Sequence, residues 1–145
     1  MVQFRQQVVV DASVVIKWLV HEEHTDRALA LVDRAAGGEV ELSLPDFCLA
    51  ECSNVIWRLV TKQRTLSPRC GETVMAQLAE LPIEGVPSRD LIGTAYRVAV
   101  ETGTTVYDAM YVSLAEALGA TFVTADRRLC NQLSDTQYAP LLELL

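Results

Sequence analysis

Histidine is scarce in this chain: among 145 residues there are only His21 and His24, far in sequence from the four cysteines Cys48, Cys52, Cys70 and Cys130. No CxxC pair occurs, so the ligand spacings of a structural zinc site are missing. Glycine and proline number only 7 and 5, while hydrophobic residues make up 50%, which excludes a disordered or low-complexity polymer. No apolar run approaches the roughly 20 residues of a membrane span. Met1 to Gln7 carries Arg5 and three glutamines, and the three valines that follow are too few for a signal-peptide core. A cytoplasmic location is therefore expected. Positive charge is also short, with a formal net charge of -7 and a pI near 4.7. That counts against a grip on nucleic acid through bulk positive charge.

A chain of this length fits a single domain over residues 1–145, able to bury roughly 70% of the surface its unfolded form exposes. Apolar stretches alternate between strand and helix character throughout, which predicts an α/β fold, three layers with helices on both faces of a mainly parallel sheet. Val8 to Asp11 reads as the first strand, followed by a short helix through Val14, Val15, Trp18 and Leu19. Asp26 to Ala36 reads as a helix stopped by Gly37-Gly38, and Val40 to Leu44 as the second strand. Pro45 and Asp46 suit the opening turn of a long, largely buried helix reaching about Gln63. Ser67 and Ser88 read as helix caps, Ile83 to Val86 as a short strand, and Gly103 and Gly119 as helix stops. Ala120 to Ala125 reads as another strand, with an edge strand expected around Gln137 to Ala139. Cys48 and Cys52, four apart on the long helix beside Ile56 and Leu59, read as reduced core thiols.

Four acids then stand out. Asp11 closes the run Val8-Val9-Val10, and Asp126 follows Ala120 to Ala125, so both emerge at strand C-termini, where open α/β sheets place their chemistry. Asp108 opens a helix in TTVYDAMY. Each of these three also has a local explanation: Asp11 and Asp126 as helix N-caps, and Asp108 with Thr105 as a Thr-x-x-Asp capping box. Glu51 has no capping role. It shares a polar stripe with Asn54 and Arg58 at i, i+3 and i+7, and its ordinary alternative is an ion pair with Arg58.

Should the four converge, they need a counter-charge, because two carboxylates about 4 Å apart repel by about 4 kcal/mol at an effective dielectric near 20. Oxygen-only ligation selects hard cations, Mg2+ or Mn2+. Two such ions could activate a water and stabilise the leaving oxygen of a phosphodiester. Ser13 and Thr124, each two residues from a site aspartate, could donate to phosphate or to a bound water, or simply make turn and cap hydrogen bonds. The negative charge is also uneven. Between Cys52 and Gly71 lie Arg58, Lys62, Arg64 and Arg69 with no acid, and Arg127-Arg128 adjoins Asp126. The plainer reading of the first group is a solvated helix end.

The opening VVVDASVVIKWL, the helix PDFCLAECSNVIWRL, the segment TVYDAMYVSLAEALGATFVTADRRL and the order of the four acids together resemble the PIN-domain family, and within it the VapC-type toxins of toxin-antitoxin pairs. The resemblance covers essentially the whole chain. It implies an α/β/α sandwich and Mg2+- or Mn2+-dependent cleavage of RNA. It also implies a homodimer and a small antitoxin partner that inhibits the enzyme. The family's acidic positions fall on Asp11, Glu51, Asp108 and Asp126, which would hold the cations, and its small polar positions on Ser13, Asn54 and Thr124, which would assist.

Three other readings compete. A doubly wound phosphatase would also place an aspartate after its first strand, but such enzymes typically carry a second two residues on, where this chain has Ser13. A noncatalytic module would use the acids structurally and bind RNA or protein. A PIN-like nuclease could serve RNA processing or cut DNA, although 145 residues leave little room for a targeting domain. Trp18 and Trp57 are candidates to face a partner, with burial in the core as the commoner fate.

Overall fold

The computed structural model describes residues 4–145. The strand β1 (Gln6–Val10) leads through α1 (Ala12–Leu19) and α2 (Thr25–Ala36) to β2 (Val40–Pro45). Helices α3 (Cys48–Thr61) and α4 (Pro68–Ala79) follow, then the two-residue β3 (Gly85–Val86). Next come α5 (Ser88–Thr102), α6 (Val106–Leu118), β4 (Thr121–Thr124) and α7 (Arg127–Leu133), and finally a short 3-10 turn and β5 (Leu142–Leu144). All strand pairings are parallel, in the order β3-β2-β1-β4-β5. The chain thus steps outward from β1 to β3, then returns across the sheet to β4 on the other side of β1. Right-handed crossovers place the helices of the outward and returning halves on opposite faces. The crevice where the order reverses lies above the C-terminal ends of β1 and β4, which pair from Val8 with Thr121 to Val10 with Val123.

Burial explains which segments became which element. Val8, Val9 and Val10 are all buried, the unbroken apolar run of a strand covered on both sides. Helix α6 is buried continuously from Ala109 to Ala115, because it lies on β1, β2 and β4 and is covered in turn by α5. Helix α5 needs only one apolar stripe, Leu91, Ala95, Val98 and Ala99, and leaves Ile92, Tyr96 and Val100 in solvent. Both helices end at a glycine in the left-handed region, Gly103 (φ 75) and Gly119 (φ 61). Gly71 lets α4 approach α3, since a Cβ there would stand 2.7 Å from a Val60 methyl.

The structure corrects several sequence readings. Pro45 ends β2 rather than opening a helix, pairing with Val86, and the Asp46 amide donates to the Val86 carbonyl at 2.8 Å. The Asp46 carboxylate accepts from the amide and hydroxyl of Ser88, so Ser88 is the first residue of α5 and Pro87 its N-cap. Gly85 permits this junction, because a Cβ there would meet Asp46 Cα at 2.6 Å. The edge strand forms at Leu142–Leu144, after the 3-10 turn Ala139–Leu141. Helix α3 buries one face, Cys48, Cys52 and Ile56, while Asn54, Trp57 and Arg58 are exposed, so it is amphipathic rather than largely buried. Trp57 is 50% exposed, and Trp18 is partly buried with its indole N–H donated to the Ala28 carbonyl. Cys48 and Cys52 are free buried thiols. No described helix is long and apolar enough to cross a membrane.

Candidate active site

Asp11 occupies the junction between β1 and α1 at the switch point. It is 8% exposed and caps α1, its Oδ1 accepting from the Val14 amide at 3.3 Å. The cap is only part of its bonding. Ser13 donates to Oδ1 and Thr124, from the end of β4, donates to Oδ2, each at 2.5 Å. The Ser13 and Thr124 hydroxyls lie 3.4 Å apart, and Ser13 Oγ accepts from the Ala125 amide at 2.9 Å. Two hydroxyls therefore stitch the end of β1 to the end of β4 and fix both oxygens of one carboxylate. Thr124 Oγ1 also accepts from the Asp126 amide, and Asp126 caps α7 through the Leu129 amide at 3.1 Å.

Glu51 enters from α3. Its Oε1 accepts from the Tyr111 hydroxyl at 2.7 Å, and among the described residues it forms no ion pair with Arg58 or any other base. Tyr111 is 2% exposed, on α6, with its ring stacked on Phe122 at 5.5 Å and tilted against Phe47 at 5.3 Å. This phenol escapes sequence reasoning, since its place within an all-apolar helix face looks like ordinary core. The one available signal is that a buried Tyr hydroxyl needs a partner. Asp108 lies at the start of α6, where Thr105 caps its amide at 3.1 Å, half of the expected capping box.

The electrostatics link the four acids in a row. Burial, with a smaller contribution from the charge of Glu51, raises the Asp11 carboxyl to about 6 against the hydrogen bonds from Ser13, Thr124 and Val14. Burial also raises Glu51, opposed by the Tyr111 hydrogen bond and reinforced by Asp108. Asp108 is raised by burial, opposed by the Thr105 hydroxyl and reinforced by Asp126. Each acid is thus close enough to disfavour charge on the next. None of the four has a basic partner among the described residues. They stand as a row of adjoining pairs rather than a closed shell: among the described residues no three His, Cys, Asp or Glu side chains are grouped as ligands around one point.

The chemistry of this set is narrow. It offers carboxylate oxygens beside hydroxyl donors, with Asp11, Glu51 and Asp108 raised in proton affinity, and such a set suits a hard divalent cation, whose charge would offset the mutual repulsion. Asn54 is exposed on α3, about one turn beyond Glu51, and its side chain makes no hydrogen bond among the described residues. A groove of about 710 Å3 lies elsewhere, between β2 and Leu81 to Pro87, and none of the four acids lines it.

Comparison with known proteins agrees with this architecture. Residues 8–132 match the model of the PIN domain. Over 128 residues the chain is 30% identical to Ribonuclease VapC3 of Pyrobaculum aerophilum, covering 87% of this chain and 94% of that one. The fold is shared with the crystal structure of PAE2754 from Pyrobaculum aerophilum (TM-score 0.63, 24% identity, 92% of this chain and 82% of that one). It is shared equally with VapBC2 from Rickettsia felis bound to a DNA fragment from their promoter (TM-score 0.63, 15% identity, 97% and 99%). A five-stranded parallel sheet with its acids at the switch point, and a family match spanning most of the sequence, lead to one assignment: the chain belongs to the PIN-domain family, with a VapC ribonuclease among its relatives.

Proposed function

We propose that this protein is an endoribonuclease dependent on Mg2+ or Mn2+, and that it acts as the toxin of a toxin-antitoxin pair, as a homodimer held inactive by its antitoxin. The observation that carries the catalytic reading is the row Asp11, Glu51, Asp108 and Asp126, in which burial and a neighbouring carboxylate raise the first three, without a basic side chain paired to any of the four among the described residues. A purely structural set of acids would be paired. The 30% identity to a VapC ribonuclease supports RNA as substrate, and the structural likeness to VapBC2 supports an antitoxin partner.

The four carboxylates would hold the cations, which when bound supply Lewis-acid charge at the phosphodiester and lower the pKa of water. The chain's own residues supply position. Ser13 and Thr124 hold Asp11 in one rotamer, so its oxygens face the crevice without searching. Tyr111 does the same for Glu51, leaving its second oxygen free of the phenol. The amide of Asp126 is tied to Thr124, which couples the start of α7 to the same carboxylate as β1.

The test uses purified protein and total RNA in Mg2+, Mn2+ or EDTA. Asparagine is as good a helix cap as aspartate, so Asp11→Asn and Asp126→Asn keep the caps and remove the charge. Cleavage that needs the cation and disappears in both variants is the expected result; cleavage persisting in either one returns the acids to a capping role. For the toxin role, expression without an antitoxin should arrest growth, and normal growth under strong expression points to RNA processing instead.

A further inference from the structure

The acid crevice repels the polyanion it is proposed to cut, so a chain of net charge -7 must collect positive charge elsewhere to hold RNA. Arg127 and Arg128 beside Asp126 are one small collection, and the larger lies on and after α3. Residues 53–70 contain four of the 12 Lys and Arg and none of the 19 Asp and Glu, leaving eight positive against 19 negative charges in the rest of the chain. Arg58, Lys62, Arg64 and Arg69 are all exposed, and none is in an ion pair among the described residues.

An aromatic side chain sits among them. Trp57 is 50% exposed although its helix has a buried face available, and the Lys62 ammonium lies 5.5 Å from its ring centroid. An exposed indole flanked by cations is the combination that binds single strands, because every base has a face to stack and every nucleotide carries a phosphate. The patch is also continuous with the crevice. Glu51, Asn54 and Arg58 follow one stripe of α3 that the C-cap Lys62 continues, with Glu51 at the acid end and Arg58 seven residues on, about 10 Å along the axis.

We infer that Trp57 with Arg58, Lys62, Arg64 and Arg69 forms a binding track for single-stranded RNA leaving the acid crevice along α3. A base stacks on the indole and the guanidinium and ammonium groups meet the flanking phosphates. Four cations without ion pairs among the described residues around one large aromatic complement a polyanion. The exposed stripe Ile92, Tyr96 and Val100 on α5 is the contrasting surface, with no comparable collection of charge. The inference rests on RNA being the substrate, and binding can be measured apart from cleavage.

The probe is a fluorescein-labelled oligouridylate of roughly 12 nucleotides, within the usual span of single-strand sites, titrated in EDTA and read by anisotropy. Trp57→Ala should weaken binding about tenfold, Trp57→Phe should retain most of it, and Tyr96→Ala on α5 should leave it unchanged. Arg58→Gln and Lys62→Gln should each lower the slope of log affinity against log salt by about 0.7. Thermal unfolding checks each variant's fold, and Trp57→Phe compared with Arg58→Gln carries the test if Trp57→Ala fails to fold. Wild-type affinity in Trp57→Ala, or an equal loss in Tyr96→Ala, overturns the track. So does a change in oligomeric mass with RNA affinity intact, which makes the patch a protein interface. Wild type that binds through Trp57 but cuts no RNA sinks the nuclease reading and leaves the track standing; metal-dependent cutting with Trp57-independent binding does the reverse.

Discussion

The two ends of helix α3 put polar and aromatic residues to opposite uses. Near its start, Glu51 is half-buried and a buried phenol completes it; near its end, Trp57 is half-exposed and a lysine covers it. At the first end, charge is concentrated where burial makes it costly, and hydroxyls from Ser13, Thr124 and Tyr111 fix the carboxylates of Asp11 and Glu51. At the second, charge of the other sign lies in solvent, where it costs little and is free to meet a ligand. On the proposed reading, the difference separates a place suited to a cation from one suited to a polyanion. It also shows that mean charge is a poor guide to partners when the two signs occupy different parts of one surface.

The most severe break of this comparison is at the acid end. Asp11→Asn and Glu51→Gln should abolish cation-dependent RNA cleavage while the protein remains folded, seen as intact RNA on a gel beside an unchanged circular dichroism spectrum. Retained cleavage would mean the row of acids is structural. Tyr111→Phe should come next, lowering the cleavage rate by about 10- to 100-fold, as outer partners of ligands typically do. Titration with Mn2+ should show weaker binding by a similar factor, and unchanged Mn2+ affinity would reduce Tyr111 to a core residue.

Stability against pH sharpens the same contrast. Asp11 is raised from 3.8 to about 6 in the folded chain, so the proton it binds favours folding. That contribution is fully present below about 3.8 and is lost as pH rises through 6, amounting to about 3 kcal/mol at 1.36 kcal/mol per unit. In EDTA, wild type should therefore lose stability relative to Asp11→Asn between pH 4 and 7, and Mn2+ at pH 7.5 should stabilise wild type more than the variant. Parallel denaturation curves over that range would contradict the buried, unneutralised carboxylate. The smallest effect belongs to the basic end: Trp57→Ala should alter unfolding free energy by no more than about 0.5 to 1 kcal/mol, as for an exposed side chain losing one cation–π contact. A larger loss would place Trp57 in the core and remove the contrast.

Much of this was legible in the sequence for identifiable reasons. The triple valine and the run Ala120 to Ala125 could only be buried strands, so the sheet and the exits of Asp11 and Asp126 followed. The α6 boundaries Val106–Leu118 were readable because Thr105 and Gly119 mark both ends chemically. The α3 start misled, because Pro45 and Asp46 have helix-opening chemistry that β3 recruits instead: the Asp46 amide bonds to Val86 and its carboxylate to Ser88, 42 residues away. The β5 position was equally hidden, since an edge strand is defined by which neighbour it meets.

Capping and membership of the acidic row, set against each other in the sequence, coexist in the structure. Asp11 and Asp126 are real N-caps and also members of the row, because a helix start at a strand end needs a short acceptor there in any case. By itself the sequence determined which residues are acidic, which strands are buried and where charge is concentrated, since these follow from residue type and local order. Only the tertiary structure decided that Thr124 would reach Asp11 across 113 residues and Tyr111 reach Glu51 across 60, and that Trp57 would face solvent. Those contacts depend on sheet order and on which face of a helix meets its neighbour, and no local pattern encodes either.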